Sequence, residues 1–273
     1  MSDEQDVPRA RLEVADGVAT ITLADPAGVN AIDARMADDL RRCVEQAGAR
    51  RDVGVILTAA EGLSWCVGGA VKTFAELGEG VHDYIRKVGT DVNPLVAAIH
   101  RSPKVTIAAV HGPVAGGGIG LMAAHDIVVA DPGTTVTVAY RRLGLSPDAG
   151  GTYFLARDMG YRRALDLYLS DATLDAAAAL EAGIVSRVAG DDALATEVQA
   201  LALRLAAGPR EAHAATKRLL RQTGDALLER QLEDEIRSLA DGAASADFAE
   251  GLRAFLERRA PRFGGAPTGV GHS

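Results

Sequence analysis

An α/β fold follows from strand and helix patterns that alternate over roughly the first half of the chain and give way to helical patterns alone beyond about residue 150. Two further observations support one large unit rather than several. Of 273 residues, 48% are hydrophobic, enough for a sizeable core. No low-complexity linker or visible repeat divides the chain.

Residues 10–24 alternate apolar and polar (Leu12, Val14, then Val18, Ile21, Leu23) around Asp16-Gly17, the signature of two strands joined by a tight hairpin. From Asp33, a candidate N-cap, the spacing turns helical, with Met36, Leu40, Cys43, Val44 and Ala47 on one face. Asp52–Thr58 is almost continuously apolar and reads as a buried strand. A loop over 59–71 precedes a mixed polar stretch from Lys72 to Asn93 that reads as helical. Lys104–Val110 is a second buried strand, followed by the glycine-rich run His111–Gly120 and a short Ala-rich helix. Ile127–Ala130 and Thr135–Ala139 read as strands separated by Asp131-Pro132-Gly133. Past residue 150 only helices are expected. One is capped by Asp175 and stopped at Gly183, and Phe248, Leu252, Phe255 and Leu256 make an apolar stripe near the end.

Composition excludes several function classes. With 29 Lys and Arg against 37 Asp and Glu, the net charge of −8 disfavours nucleic acid and anionic membrane surfaces as partners. Two cysteines, Cys43 and Cys66, cannot form a disulfide framework and suit a reducing cytoplasm. The opening MSDEQDVPRA lacks the apolar core of a signal peptide, and no apolar run reaches the roughly 18 residues that span a bilayer. The expectation is a cytoplasmic protein that meets neither membrane nor nucleic acid. No His, Cys and carboxylate spacing suggests a metal.

Two glycine-rich loops each follow a buried strand: Trp65-Cys66-Val67-Gly68-Gly69-Ala70, and His111-Gly112-Pro113-Val114-Ala115-Gly116-Gly117-Gly118-Ile119-Gly120. Glycines at such junctions let a backbone approach a ligand and leave N–H groups pointing at it, so two facing loops can hold one oxygen between two donors. Equally, they can serve only tight turns and close packing. Neither loop is a dinucleotide fingerprint or a Walker A loop.

These loops, the linking SPKVTIAAVHGPVAGGGIGLMAAHDIVVA, the later GLSPDAGGTYFLARDMG, then TLDAAAALEAGIVSRV and DFAEGLRAFLERRAPRF, resemble the enoyl-CoA hydratase/isomerase (crotonase) superfamily in unbroken order over about residues 10–263. The resemblance implies a spiral of repeated β-β-α units, a helical C-terminal trimerisation region and a homotrimer or homohexamer. It divides the chain into a core over 1–195 and a helical region over 196–263, and residues 264–273, which lack core-forming content, read as a flexible tail. The implied substrate is a coenzyme A thioester, with no separate cofactor. Its carbonyl oxygen would lie between the N–H groups of Val67 and Gly117, lined by Cys66, Gly68, Gly69 and Gly116.

Departures from the family pattern carry the most information. Hydratases of the family use two glutamates, and those positions here hold Gly120 and Tyr140, which leaves water addition without an obvious general base. Ala70 stands where the family commonly has Asp. Asp148, in SPDAGG, matches the catalytic Asp of the dienoyl-CoA and ring-epoxyphenylacetyl-CoA isomerases. Its alternative role is to cap the helix that follows. The expectation is an enoyl-CoA or ring-epoxy acyl-CoA isomerase using Asp148 as acid/base. A hydratase with a nonstandard acid/base set and a non-catalytic acyl-CoA-binding paralogue are the other readings. Tyr140 is either a proton donor or an aromatic filler of the pocket. Its phenol in place of a Trp, with Asn93 near the position of a His, argues against dehalogenation.

Lys72 and Lys217-Arg218 are candidate phosphate contacts or solvated surface charges. His111 and the pair His125-Asp126 read as structural, and Cys66 as at most a minor nucleophile. The stretch Phe74–Asn93, with Tyr140, would set acyl specificity.

Overall fold

The hairpin at Asp16-Gly17 forms as its residues require. Both adopt positive φ (51° and 78°), the conformation of a two-residue turn matched to strand twist, and join β1 (Ala10–Ala15) to β2 (Val18–Leu23). The structure is a computed structural model that describes residues 7–77, 80–140, 145–170 and 172–222, together with 250, 257, 259 and 262. Asp33 caps α1 (Ala34–Ala49) by accepting the Met36 N–H at 2.7 Å, and all five apolar residues named above are buried on its inner face.

β3 (Val55–Ala60) starts later than Asp52, because Gly54 and Val55 first donate to the Gly17 carbonyl across the hairpin turn. α2 (Val71–Leu77) is short, and α3 (Val81–Arg101) runs past the expected end at Asn93 and straight through Pro94. Proline there forfeits one N–H bond. Burial of Leu95, Val96 and Ile99, on a helix packed against α1, outweighs it.

The rest follows in chain order as β4 (Val105–Val110), β5 (Pro113–Ala115), α4 (Gly117–Ala123), β6 (Ile127–Ala130), β7 (Thr135–Thr137), α5 (Gly151–Asp158) and α6 (Tyr161–Ser170). Then come β8 (Thr173–Asp175), α7 (Ala176–Glu181), β9 (Arg187–Val188), α8 (Leu194–Ala206) and α9 (Arg210–Gln222). One sheet has the order β1-β2-β3-β4-β6-β9, parallel beyond the opening hairpin, and a second has the order β5-β7-β8. The units β4-β5-α4 and β6-β7-α5 repeat one plan, the first strand entering the larger sheet and the second the smaller.

Strands β8 and β9 correct the expectation of helices alone beyond residue 150. Three and two residues long, they are too short to show a period of two. β9 is fixed by its surroundings, with the Ser186 N–H donating to the Val128 carbonyl and the Val128 N–H to Ser186 Oγ. β5, inside the second glycine loop, escapes sequence reading for the same reason.

Alternation along the parallel strands builds two apolar layers. Val55, Leu57, Ile107, Ala109 and Val129 pack with Val198, Leu201 and Ala202 of α8, while Ile56, Ala108, Val110 and Val128 belong to the main core with α1 and α4. That is why these strands read as continuous apolar runs. Residue 195, the expected boundary of the helical region, falls inside α8, which is packed on the sheet. The stripe at Phe248, Leu252, Phe255 and Leu256, most of the helical region after Gln222 and the tail over 264–273 lie outside the described residues. Among the described residues, no helix is long and apolar enough to cross a membrane.

Candidate active site

Parallel pairing of β3 with β4 brings both glycine loops to the carboxyl end of the sheet, where ligands of open α/β sheets are held. The loops are stitched together. The Ala115 N–H donates to the Cys66 carbonyl at 3.1 Å, and the Ile32 N–H to the Gly68 carbonyl at 2.7 Å. Gly68 has φ +80°, and a Cβ there would lie 2.6 Å from the Ala115 carbonyl oxygen and 2.9 Å from the Gly117 nitrogen. Only glycine permits that approach. Gly116 (φ 51°, ψ −130°) turns the chain into α4, whose first residue, Gly117, presents an N–H that the helix's own ladder does not use. The Val67 N–H is not open in the same way: it points at the Val29 carbonyl, 3.3 Å away.

Asp148 stands beside this junction. Its Oδ1 lies 3.0 Å from where a Cβ on Gly117 would be. The Tyr140 hydroxyl donates to that oxygen at 2.6 Å, and the Asp148 N–H donates back to the hydroxyl at 3.3 Å. Burial, and then the Asp148 carboxylate, hold the Tyr140 phenol well above its usual range, so it stays protonated and acts as a donor. The reading of Asp148 as a helix cap is corrected, because the N-cap of α5 is Gly150 with no side-chain bond, and Asp148 contributes only its main-chain carbonyl to the Gly151 N–H.

Gly120 is held as glycine for a steric reason. A Cβ on Gly120 would lie 2.1 Å from the Ala149 carbonyl oxygen, so the turn carrying Asp148 rests directly on the α4 backbone. No side chain fits at position 120 while Asp148 keeps its place.

Cys66 is fully buried, its thiol pushed up to about 12 by burial, so it is no thiolate near neutral pH and the minor nucleophile reading fails. Sequence reading missed Tyr168 on α6, whose ring lies 6.2 Å from that of Tyr140 and whose phenol is pushed up to about 12 by burial and by Asp148. Nothing in its local pattern marks it, since α6 and the Tyr140 turn meet only through tertiary packing.

A cleft of about 40 Å³ opens between Gly69, Gly117, Asp148 and the inner face of α3, where Ile85, Val88 and Val92 give it an apolar wall. It holds a few small atoms in this form. Part of the stretch expected to set specificity therefore does line the site, and Asn93 on the same helix is exposed.

The expectation that Lys217 reaches a phosphate is corrected. Lys217 Nζ lies 2.5 Å from Asp126 Oδ2 and donates to the Lys104 carbonyl at 2.6 Å, with its side chain only 8% exposed. Arg221 pairs with the same carboxylate at 2.9 Å, and Thr106 donates to it from its backbone and its hydroxyl. Arg218 is exposed on α9, and the Lys72 side chain lies outside the described part of α2. His125 is a satisfied core residue. Its Nδ1 donates to the Leu121 and Met122 carbonyls, its Nε2 accepts from the Thr58 hydroxyl at 2.9 Å, and burial lowers its pKa to about 4. His111 Nε2 donates to the Gly62 carbonyl. A larger cavity of about 540 Å³ lies over the Asp126 cluster, away from the glycine loops. Among the described residues no group of His, Cys, Asp and Glu is arranged to hold a metal ion.

Comparison with known proteins gives the family. The enoyl-CoA hydratase/isomerase family model matches residues 13–266. A probable enoyl-CoA hydratase of Rhodobacter capsulatus is 34% identical over 93% of this chain and 97% of its own length. The 1,2-epoxyphenylacetyl-CoA isomerase of Escherichia coli is also 34% identical, over 92% and 97%. The crystal structure of an enoyl-CoA hydratase from Mycobacterium smegmatis superposes with a TM-score of 0.86 at 27% identity, covering 94% of this chain and 99% of that one. With the two stitched glycine loops at the carboxyl end of a crotonase-like sheet, these matches place the chain in the enoyl-CoA hydratase/isomerase family, enzymes that act on acyl-CoA substrates.

Proposed function

We propose that this chain is an acyl-CoA isomerase in which Asp148 carries the proton. The observation that supports the reading best is the contact by which the Asp148 turn rests on Gly120, putting that carboxylate beside the Gly117 N–H. In a β,γ-unsaturated thioester, Asp148 takes a proton from the α-carbon. The C–H electron pair moves into the thioester, and the enolate oxygen is held by the Gly117 N–H. The Val67 N–H joins it by leaving its long bond to Val29. Asp148 then returns the same proton to the γ-carbon as the double bond moves to the α,β position. Atoms and charge balance without water or a separate cofactor. Fixed dipoles suit this chemistry, since losing one such donor typically costs about 2.7–4 kcal/mol of barrier.

Tyr140 holds Oδ1 through its hydroxyl and so orients the carboxylate. A strained ring-epoxide thioester meets the same requirements, and the relative named for that activity supports including it. Hydration is the second reading, favoured by the relative named as a probable hydratase at equal identity. Purified wild type and Asp148→Asn, given a panel of enoyl-CoA and epoxyaryl-CoA thioesters, separate the readings. Isomer formation by the wild type and its loss in the variant support the proposal; equal rates for the two proteins reject it.

A further inference from the structure

The geometry points to Gly89 as the residue that sets how much acyl group the site admits. The assignment rests on the acyl-CoA reading and goes a step further, to a specificity determinant. Gly89 sits in the interior of α3, where glycine weakens a helix relative to alanine. Two ordinary reasons for such a glycine are missing. Its φ is not positive, so the backbone does not demand it. Among the described residues, a Cβ built on it meets no atom within 4 Å, so none of them crowds out a side chain. Gly68 and Gly120 differ on this second point, since a Cβ on either would strike backbone at 2.6 Å and 2.1 Å.

What the missing side chain leaves is space, and that space belongs to the cleft. Gly89 lines it together with Ile85, Val88 and Val92 of the same helix face, opposite Gly117 and Asp148. With about 40 Å³ free, each carbon added at position 89 removes a sizeable share of the room available to an acyl chain. Around Gly89 the α3 wall of Ile85, Val88 and Val92, with Ile32, is apolar, whereas Asp148 supplies polar surface on the other side, so the group that packs against position 89 is the hydrocarbon part of the thioester rather than the polar coenzyme.

The test measures binding of non-reacting thioesters by titration calorimetry, with free coenzyme A, acetyl-CoA, octanoyl-CoA and phenylacetyl-CoA as probes, for wild type, Gly89→Ala and Gly89→Leu. Gly89→Leu is expected to weaken octanoyl-CoA and phenylacetyl-CoA by about tenfold or more and to leave coenzyme A and acetyl-CoA within about twofold. Gly89→Ala is expected to give a smaller loss of the same selectivity while its Tm rises by about 2–4 °C, because a helical alanine replaces a glycine whose Cβ position meets no described atom. A merely structural role would not couple higher stability to narrower selectivity. Equal weakening of all four probes, or an unchanged profile in both variants, overturns the assignment and leaves the acyl-CoA reading standing. If the wild type binds none of the four, the acyl-CoA reading itself fails, and the assignment with it.

Discussion

Two carboxylates, Asp148 beside the first residue of α4 and Asp126 just beyond its last, have been given different company. Asp126 is met by Lys217, Arg221 and Thr106, under helix α9 and beside the larger cavity. Among the described residues, Asp148 is met on Oδ1 by a neutral phenol, beside a cleft more than tenfold smaller whose α3 wall is apolar. A carboxylate with two cations on it has its charge answered and is fixed in place, which suits it to holding α9 on the sheet and unsuits it to moving a proton. A carboxylate held by a phenol that stays protonated is oriented by a neutral donor rather than fixed by a counter-charge among the described residues. Cavity size alone would pick out Asp126 rather than Asp148.

The contrast breaks most sharply by exchanging each acid for its amide. Asp148→Asn should lower turnover by about 10²- to 10⁴-fold, the range of general acid/base catalysis, with little change in Tm. Asp126→Asn should do the reverse. It leaves Lys217 in a buried position without its counter-charge and should cost about 2–3 kcal/mol in chemical denaturation, reduced from the fully buried case because Asp126 and Arg221 keep some solvent exposure, with turnover per folded molecule nearly unchanged.

A smaller change tests how Asp148 is held. Gly120→Ala must push the Ala149 carbonyl away from α4, so it should cost about 1–3 kcal/mol of stability and reduce turnover together. Gly120→Glu, which puts a glutamate where the resemblance expects one, should not create hydratase activity, since the side chain displaces the turn it would have to work beside.

His125, packed beside Asp126 in the chain, sharpens the stability side. Its folded pKa is about 4 against an ordinary 6.5. The unfolded chain therefore takes up a proton that the folded one refuses, and stability present above about pH 6.5 is lost as pH falls toward 4. About 2 kcal/mol should disappear between pH 7 and pH 5, read by urea denaturation at each pH. His125→Gln should flatten that dependence. Tyr140→Phe is the mildest change, expected to lower kcat about tenfold with KM nearly unchanged, because the phenol orients Asp148 and does not line the cleft.

Legibility in the sequence follows the range of the interactions involved. The Asp16-Gly17 turn and the Asp33 and Asp175 caps are settled within a few residues, and each forms as the sequence predicts, with Asp175 accepting the Ala178 N–H at 2.8 Å. β8, β9 and the passage of α3 through Pro94 depend on partners far along the chain, and local pattern misreads them. The site divides the same way. The glycine loops were legible, but the Val67 N–H meets a carbonyl 38 positions earlier in the chain, and Lys217 meets Asp126 91 positions away. A lysine that looks available in sequence is thus consumed by the fold. Tyr140 and Asp148 are near enough in sequence to be considered together, whereas the 2.6 Å bond between them is a property of the turn resting on Gly120.

The central claim is that Asp148 shuttles a proton within the acyl chain and adds no water. It is tested most directly by incubating the protein with enoyl-CoA thioesters in heavy-oxygen water and weighing the products. The account predicts isomers of unchanged mass formed by the wild type and not by Asp148→Asn, with no heavy oxygen in the acyl group. A product heavier by one labelled water, formed at the same rate by both proteins, would contradict it.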